Sequence, residues 1–250
     1  MTLRFSHAFS PEGVGIASAI HRLIMTKVPE LQELSLELDK TRLAGVFSFQ
    51  AKQRYNIRIS KLHLRVISLL SRLPRYRATP LISNDLFNEL SAYINSMATS
   101  LTELDVNGVA LEFTQFKDVV NLFKFPTNVL TALHLPIDKL CPQVFIFMSH
   151  ALPRLQRFTV RYRTFDGREL PNPFATTPLV DPQANFIAGM QAQNFAHWNL
   201  GHLHIVSLRG RRPAWVHCAE AIADAFPNVK TFGGTSRENY VSCSSNAIDG

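Results

Sequence analysis

Leu152-Pro153-Arg154-Leu155-Gln156-Arg157-Phe158 is one of three copies of a single pattern. The others are Val28-Pro29-Glu30-Leu31-Gln32-Glu33-Leu34 and Phe226-Pro227-Asn228-Val229-Lys230-Thr231-Phe232. Each reads as an apolar residue, a proline that stops a helix, and then the apolar entry to a strand. A degenerate phrase that recurs along a chain predicts a repeated architecture.

Working outward, the ends of these copies belong to a wider pattern, L-x-x-L-x-L with any apolar residue at L. It fits Leu31/Leu34/Leu36, Ile59/Leu62/Leu64, Leu101/Leu104/Val106, Leu130/Leu133/Leu135, Leu155/Phe158/Val160 and Leu203/Val206/Leu208. Val229/Phe232 is a shorter last copy, and Leu3/Phe5 reads as the remnant of a first. The last two apolar positions of a triplet lie two apart and share one face of a strand. A parallel neighbour requires a crossover, and helix signals fill the gaps. Ser10-Pro11 opens a helical run through Ile24. Ser83 or Asn84 caps a helix through Met97, Thr114 caps one through Phe123, and Pro142 to Ala151 is short and apolar. Gln183 to His197 reads as a helix, and Pro213 begins another toward Phe226.

Apolar helix, Φ-P-x-Φ turn and L-x-x-L-x-L strand, in that alternation, resemble the leucine-rich-repeat superfamily. In particular, the pattern looks like the irregular repeats of ribonuclease-inhibitor-like and fungal-type F-box/leucine-rich-repeat proteins. Successive middle positions are 31, 28, 42, 29, 25, 48 and 26 residues apart, and five of these gaps lie near that superfamily's period. Asn107 is the one good match to the Asn that often follows the third apolar position. The resemblance covers residues 1–235 and implies a right-handed α/β solenoid, a horseshoe with its parallel sheet on the concave side and helices on the convex side. It implies recognition of a partner protein, as in the substrate receptors of ubiquitin ligases. No F-box segment stands ahead of the repeats, so a fragment of a longer F-box protein is a further reading. Insertions are expected near 66–84 and at the Pro-rich stretch 166–182, and 236–250 is expected to be a disordered tail.

Composition agrees with a globular chain: 250 residues, 46% hydrophobic and 18% charged. Cys141, Cys218 and Cys243 are too few and too scattered for a disulfide framework or a paired metal signature, which predicts a cytoplasmic or nuclear protein. No apolar run approaches a membrane span. The net charge of +7 arises in one place. Lys40 to Arg77 holds ten basic residues and no acidic one, whereas the remainder holds sixteen basic and nineteen acidic residues. Arg54, Arg58, Arg72, Arg75 and Arg77 fall outside the strand in that segment and are expected to form a basic rim, the basis of an alternative reading as a nucleic-acid or polyanion binder.

No catalytic chemistry is expected. There is no G-x-S-x-G elbow, and Gly13-Val14-Gly15 and Gly233-Gly234 complete no phosphate loop. His197, His202, His204 and His217 do not converge on a metal-ligand spacing. Neither a cofactor nor a metal is expected. The informative positions are those that alternate with the strand apolars. They are Glu33, Ser35 and Glu37; Lys61, His63 and Arg65; Glu103, Asp105 and Asn107; Ala132, His134 and Pro136; Arg157, Thr159 and Arg161; Ile205, Ser207 and Arg209. The first three strands alternate in charge and neutralise one another. Arg157, Arg161 and Arg209 have no acidic residue on the adjacent strand. With Ile205 as an apolar contact between them, they are the expected site for another protein with an acidic surface, bound by a monomer.

Overall fold

A computed structural model describes residues 2–6, 31–39, 59–67, 79–165, 182–208 and 218–245. The described residues form a mixed α/β array. Its nine strands are β1 (Thr2–Ser6), β2 (Glu33–Asp39), β3 (Lys61–Ile67), β4 (Glu103–Asn107), β5 (Ala132–Leu140), β6 (Arg157–Phe165), β7 (His202–Ser207), β8 (Thr231–Phe232) and β9 (Thr235–Ser236). They lie in one open sheet in sequence order. β1 to β8 are parallel, and β9 returns antiparallel to β8. The described helices are α1 (Asn84–Met97), α2 (Phe113–Asn121), α3 (Pro142–Ala151), α4 (Pro182–Gln191), α5 (Ala219–Ala225) and α6 (Arg237–Ser245). They pack against one another in chain order.

The apolar positions set the register. Leu34, Leu62, Leu104, Leu133, Phe158, Leu203 and Phe232 are lateral partners across seven strands. All are buried in one core with the inner faces of the helices. The core is aromatic toward the later repeats. Phe145 of α3 meets Phe158 and Phe226 edge-on, at centroid distances of 6.4 and 5.3 Å. Trp198 is buried beside them and donates its indole N–H to the Leu152 carbonyl at 2.9 Å.

A second device runs along the edge where the strands begin. The carbonyls of Gln32, Ser60, Thr102, Thr131, Gln156 and Gly201 each accept the backbone N–H of the next strand's entry, at 2.7–3.0 Å for the shorter bond. Three hydroxyls reinforce the ladder: Ser60 donates to Gln32 O, Thr102 to Ser60 O and Thr131 to Thr102 O. From β3 to β8 each entry turn is thereby tied to its predecessor, and the N–H groups and carbonyls that make these bonds are satisfied without water.

Several expectations are corrected. The β7 triplet is Leu200/Leu203/Ile205, not Leu203/Val206/Leu208, because Leu203 pairs with Phe158 and Ile205 with Val160. Leu200, Leu203 and Ile205 are buried, whereas Val206 and Leu208 are half-exposed. The middle-position gaps around β7 therefore become 45 and 29 residues. Helix α2 is capped by Glu112 rather than Thr114. Glu112 and Gln115 form a capping box, with the Glu112 N–H donating to Gln115 Oε1 at 3.0 Å. α4 stops at Gln191, short of His197. The segment beyond Ser236, expected to be disordered, carries α6, whose Tyr240 stacks on Phe232 at 4.5 Å. Arg237 also donates to the Phe226 carbonyl at 3.0 Å. The expected helix from Ser10 lies outside the described residues, as does 166–182 apart from Pro182. Of 66–84, Val66 and Ile67 complete β3, and Leu81 makes a parallel bridge to Ala110.

Two glycine sites meet backbone demands that other residues resist. Gly108, just after β4, has φ +87°, and Val66 of the neighbouring strand approaches so closely that an added Cβ would fall 1.8 Å from its carbonyl oxygen. Gly233 and Gly234 (φ +62° and +84°) form the tight turn between β8 and β9.

Candidate protein-binding face

The side chains that alternate with the core positions emerge on the sheet face opposite the helices. Lateral pairing arranges them in rungs. One reads Glu33, Lys61, Glu103, Ala132, Arg157, His202, Thr231. The next reads Ser35, His63, Asp105, His134, Thr159, His204. Histidines therefore stand on alternate strands of one rung, β3, β5 and β7. No sequence argument had grouped them, although each sits one residue past a middle apolar position.

β4 is the electrostatic centre. His63 lies 3.8 Å from Glu33 and 3.9 Å from Asp105, and His134 lies 3.9 Å from Glu103. Arg157 and Arg161, expected to lack acidic neighbours, are paired. Arg157 reaches Glu103 at 3.2 Å, and Arg161 reaches Asp105 at 2.8 Å and the Val106 carbonyl at 3.3 Å. The partners lie two strands away, not one. Adjacent parallel strands are about 4.8 Å apart, and the intervening β5 presents only Ala132 and Pro136 opposite these arginines. Short side chains on β5 let the guanidiniums cross it. Between the adjacent strands β6 and β5, Arg163 donates to Asp138 at 2.6 Å.

Ile205 is not an outward contact. It is 6% exposed and belongs to the core, as the corrected β7 register requires. The outward residues there are His202, which hydrogen-bonds Thr231 Oγ1 through Nδ1 at 2.7 Å, and His204. Arg209 lies outside the described residues, and so do Arg54, Arg58, Arg72, Arg75 and Arg77. Toward β2 the face opens into a cavity of about 370 Å³ lined by Glu33, Ser35, His63, Arg65, Asp105 and Asn107.

Burial dominates the titration of His134. It holds the imidazole below the ordinary histidine range, against the pull of Asp105 and Glu103 and with the help of Arg161 and Arg157. Its Nε2 is buried without a hydrogen-bond partner. His204 is lowered in the same way, by burial and then by Arg161. A histidine held neutral in the fold takes up fewer protons than the unfolded chain. Its stabilising contribution is therefore complete above the unfolded value of about 6.5, and is lost as pH falls from there through the lowered folded value. The midpoint of urea unfolding is expected to drop between pH 7.5 and 5.5, and His134→Gln is expected to shrink that drop. An unchanged difference in the variant would place the pH dependence elsewhere.

Among the described residues no group of His, Cys, Asp and Glu is arranged to hold a metal ion, and no helix is long and apolar enough to cross a membrane. Comparison of the sequence with models of known protein families and with curated proteins finds no match.

Proposed function

We propose that the chain is a protein-interaction scaffold, a solenoid of the leucine-rich-repeat kind that reads a partner with the polar face of its sheet. One observation carries the reading. Strands stacked in sequence order raise a rung-by-rung array of charged and imidazole side chains on the face that no described helix covers. The spacing of the apolar triplets and the strand-to-strand order support the horseshoe; a substrate-recognition role of the ubiquitin-ligase type rests on the resemblance in repeat style alone. Cys141 and Cys218 are buried thiols outside any disulfide, which suits a reducing compartment, cytoplasm or nucleus.

The pairing of Arg157 and Arg161 changes what the face offers. A bare basic patch would select any acidic surface. A paired network instead fixes donors and acceptors in place and selects a partner with matching charges of both signs. Arg157 is the natural probe, because its side chain is 51% exposed whereas that of Arg161 is 19% exposed. Arg157→Ala is expected to shift the melting temperature by a few degrees at most, since exposed ion pairs contribute about 0–1 kcal/mol. In quantitative pull-downs from nuclease-treated extract it is expected to lose at least one protein that the parent retains. Arg161→Ala removes a half-buried guanidinium with two acceptors and is expected to cost about 1–3 kcal/mol of stability. Identical recovery by the parent and Arg157→Ala would remove the polar face as the recognition surface. Of the basic segment 40–77 only Lys61 and Arg65 carry described charged side chains, both exposed on this same face.

A further inference from the structure

Among the described residues the exposed large hydrophobic side chains are Phe125, 57% exposed, and Val129, 45% exposed. Both belong to one loop, between α2 and β5. In the other described helix-ending Φ-P pairs the apolar residue is buried by contrast, Leu152 at 3% and Phe226 at 1%. In the α2–β5 connection Phe123 fills that inward role, at 1%. Phe125 is thus an additional aromatic that the core does not use. Beside it a groove of about 340 Å³ separates this loop from the turn between α3 and β6. Its outer walls are Lys124, Phe125 and Pro126 on one side and His150, Pro153 and Arg154 on the other. Its floor is apolar and its exposed charges are of one sign: among the described residues no acidic side chain lines it. His150 is braced by His197 of the next turn, with rings stacked at 5.7 Å.

We propose that this groove binds a short acidic peptide segment, which places one aromatic or large aliphatic side chain between Phe125 and Pro153 and its carboxylates against Lys124 and Arg154. A volume near 340 Å³ lies at the lower end of small-ligand pockets and suits one anchoring side chain. Single-sign flanking charge gives the preference for an acidic segment. The groove lies on the strand-entry edge and shares no residue with the polar face, so it is a second contact of the scaffold. It stands whether or not that face binds a partner.

The test uses the full chain, isotope-labelled for amide spectra, and the synthetic peptide Asp-Glu-Trp-Leu-Glu-Asp. Perturbed amides are expected within 123–130 and 150–155. Affinity is expected to fall at least tenfold in Phe125→Ser and in the double variant Lys124→Glu/Arg154→Glu, to weaken with salt, and to be unchanged in Arg157→Ala. Phe125 and both charges are exposed, so these variants are expected to keep the parental spectrum elsewhere. Absent or scattered perturbation would overturn the proposal. So would equal binding of the peptide with Asn and Gln in place of its acids. Tighter binding of a dodecathymidylate at the same amides would make the groove a nucleic-acid site. Self-association in sedimentation that vanishes in Phe125→Ser would make it a contact between copies of this chain. Either result would replace the peptide reading.

Discussion

Replacing Leu104 by Asp is expected to abolish the cooperative thermal transition of the chain. Leu104 is fully buried at the centre of the lateral row, between Leu62 of β3 and Leu133 of β5. Removing its side chain alone, as in Leu104→Ala, is expected to cost about 2–5 kcal/mol. An unpaired carboxylate in the same place adds a desolvation penalty of several kcal/mol more. Together these approach the whole stability of an ordinary domain, about 5–15 kcal/mol. In an array where each unit leans on its neighbours, a break at the fourth strand also uncouples what lies on either side. Far-ultraviolet circular dichroism against temperature is the measurement. Leu104→Ala should retain a sigmoidal transition at lower temperature, and Leu104→Asp should show a shallow slope. An Asp variant that melted within a degree or two of the parent would mean Leu104 is not a core position.

Gly108→Ala is the second large effect, and it comes from the backbone. A residue with a side chain held at φ +87° costs roughly 1–2 kcal/mol on its own. Here the methyl group would also sit 1.8 Å from the Val66 carbonyl oxygen and 2.8 Å from its carbon. Neither is a flexible side-chain tip, so the ends of β3 and β4 must part. The expected loss is above about 3 kcal/mol, in the range reserved for a named structural fault. Gly234→Ala is the control. Its φ is +84° but nothing lies within 4 Å of the added methyl group, so it should show the conformational cost alone. Urea unfolding of the two variants separates the terms. Equal losses would mean that the close approach to Val66 carries no energy.

The strands could be read from the chain because the apolar triplets report a physical necessity: the same face must be buried at every step. Leu34, Leu62, Leu104, Leu133 and Phe158 fell on one row for that reason. β7 went astray because two triplets overlap there, Leu200/Leu203/Ile205 and Leu203/Val206/Leu208, and each satisfies the pattern. Only pairing with Phe158 and Val160 distinguishes them, and pairing is a property of two strands. Ile205 was lost from the candidate site for the same reason. The arginine pairs were missed because the reading stopped at the adjacent strand. Whether Arg157 can reach Glu103 depends on how small Ala132 is, a third residue on a third strand. The hydroxyls of Ser60, Thr102 and Thr131 were in plain view at equivalent positions. Polar residues at strand entries carry no periodic signal, so their role emerged only with the carbonyls they meet. The tail helix was missed because, among its described residues, Tyr240 is the one large buried side chain in an otherwise small and polar stretch.

The glycine turn at Gly233-Gly234 reverses the chain after a two-residue β8, so the outermost strand runs against the others and is itself two residues long. Repeated parallel steps have no intrinsic count; each new strand leaves an open edge identical in kind to the last. Here the final edge has the wrong polarity for another parallel step, is too short to template one, and has α6 folded over its neighbour through Tyr240 and Phe232. The hairpin therefore acts as a length gauge. Among the described residues it closes the parallel series on this side and leaves only a two-residue border for another sheet to join.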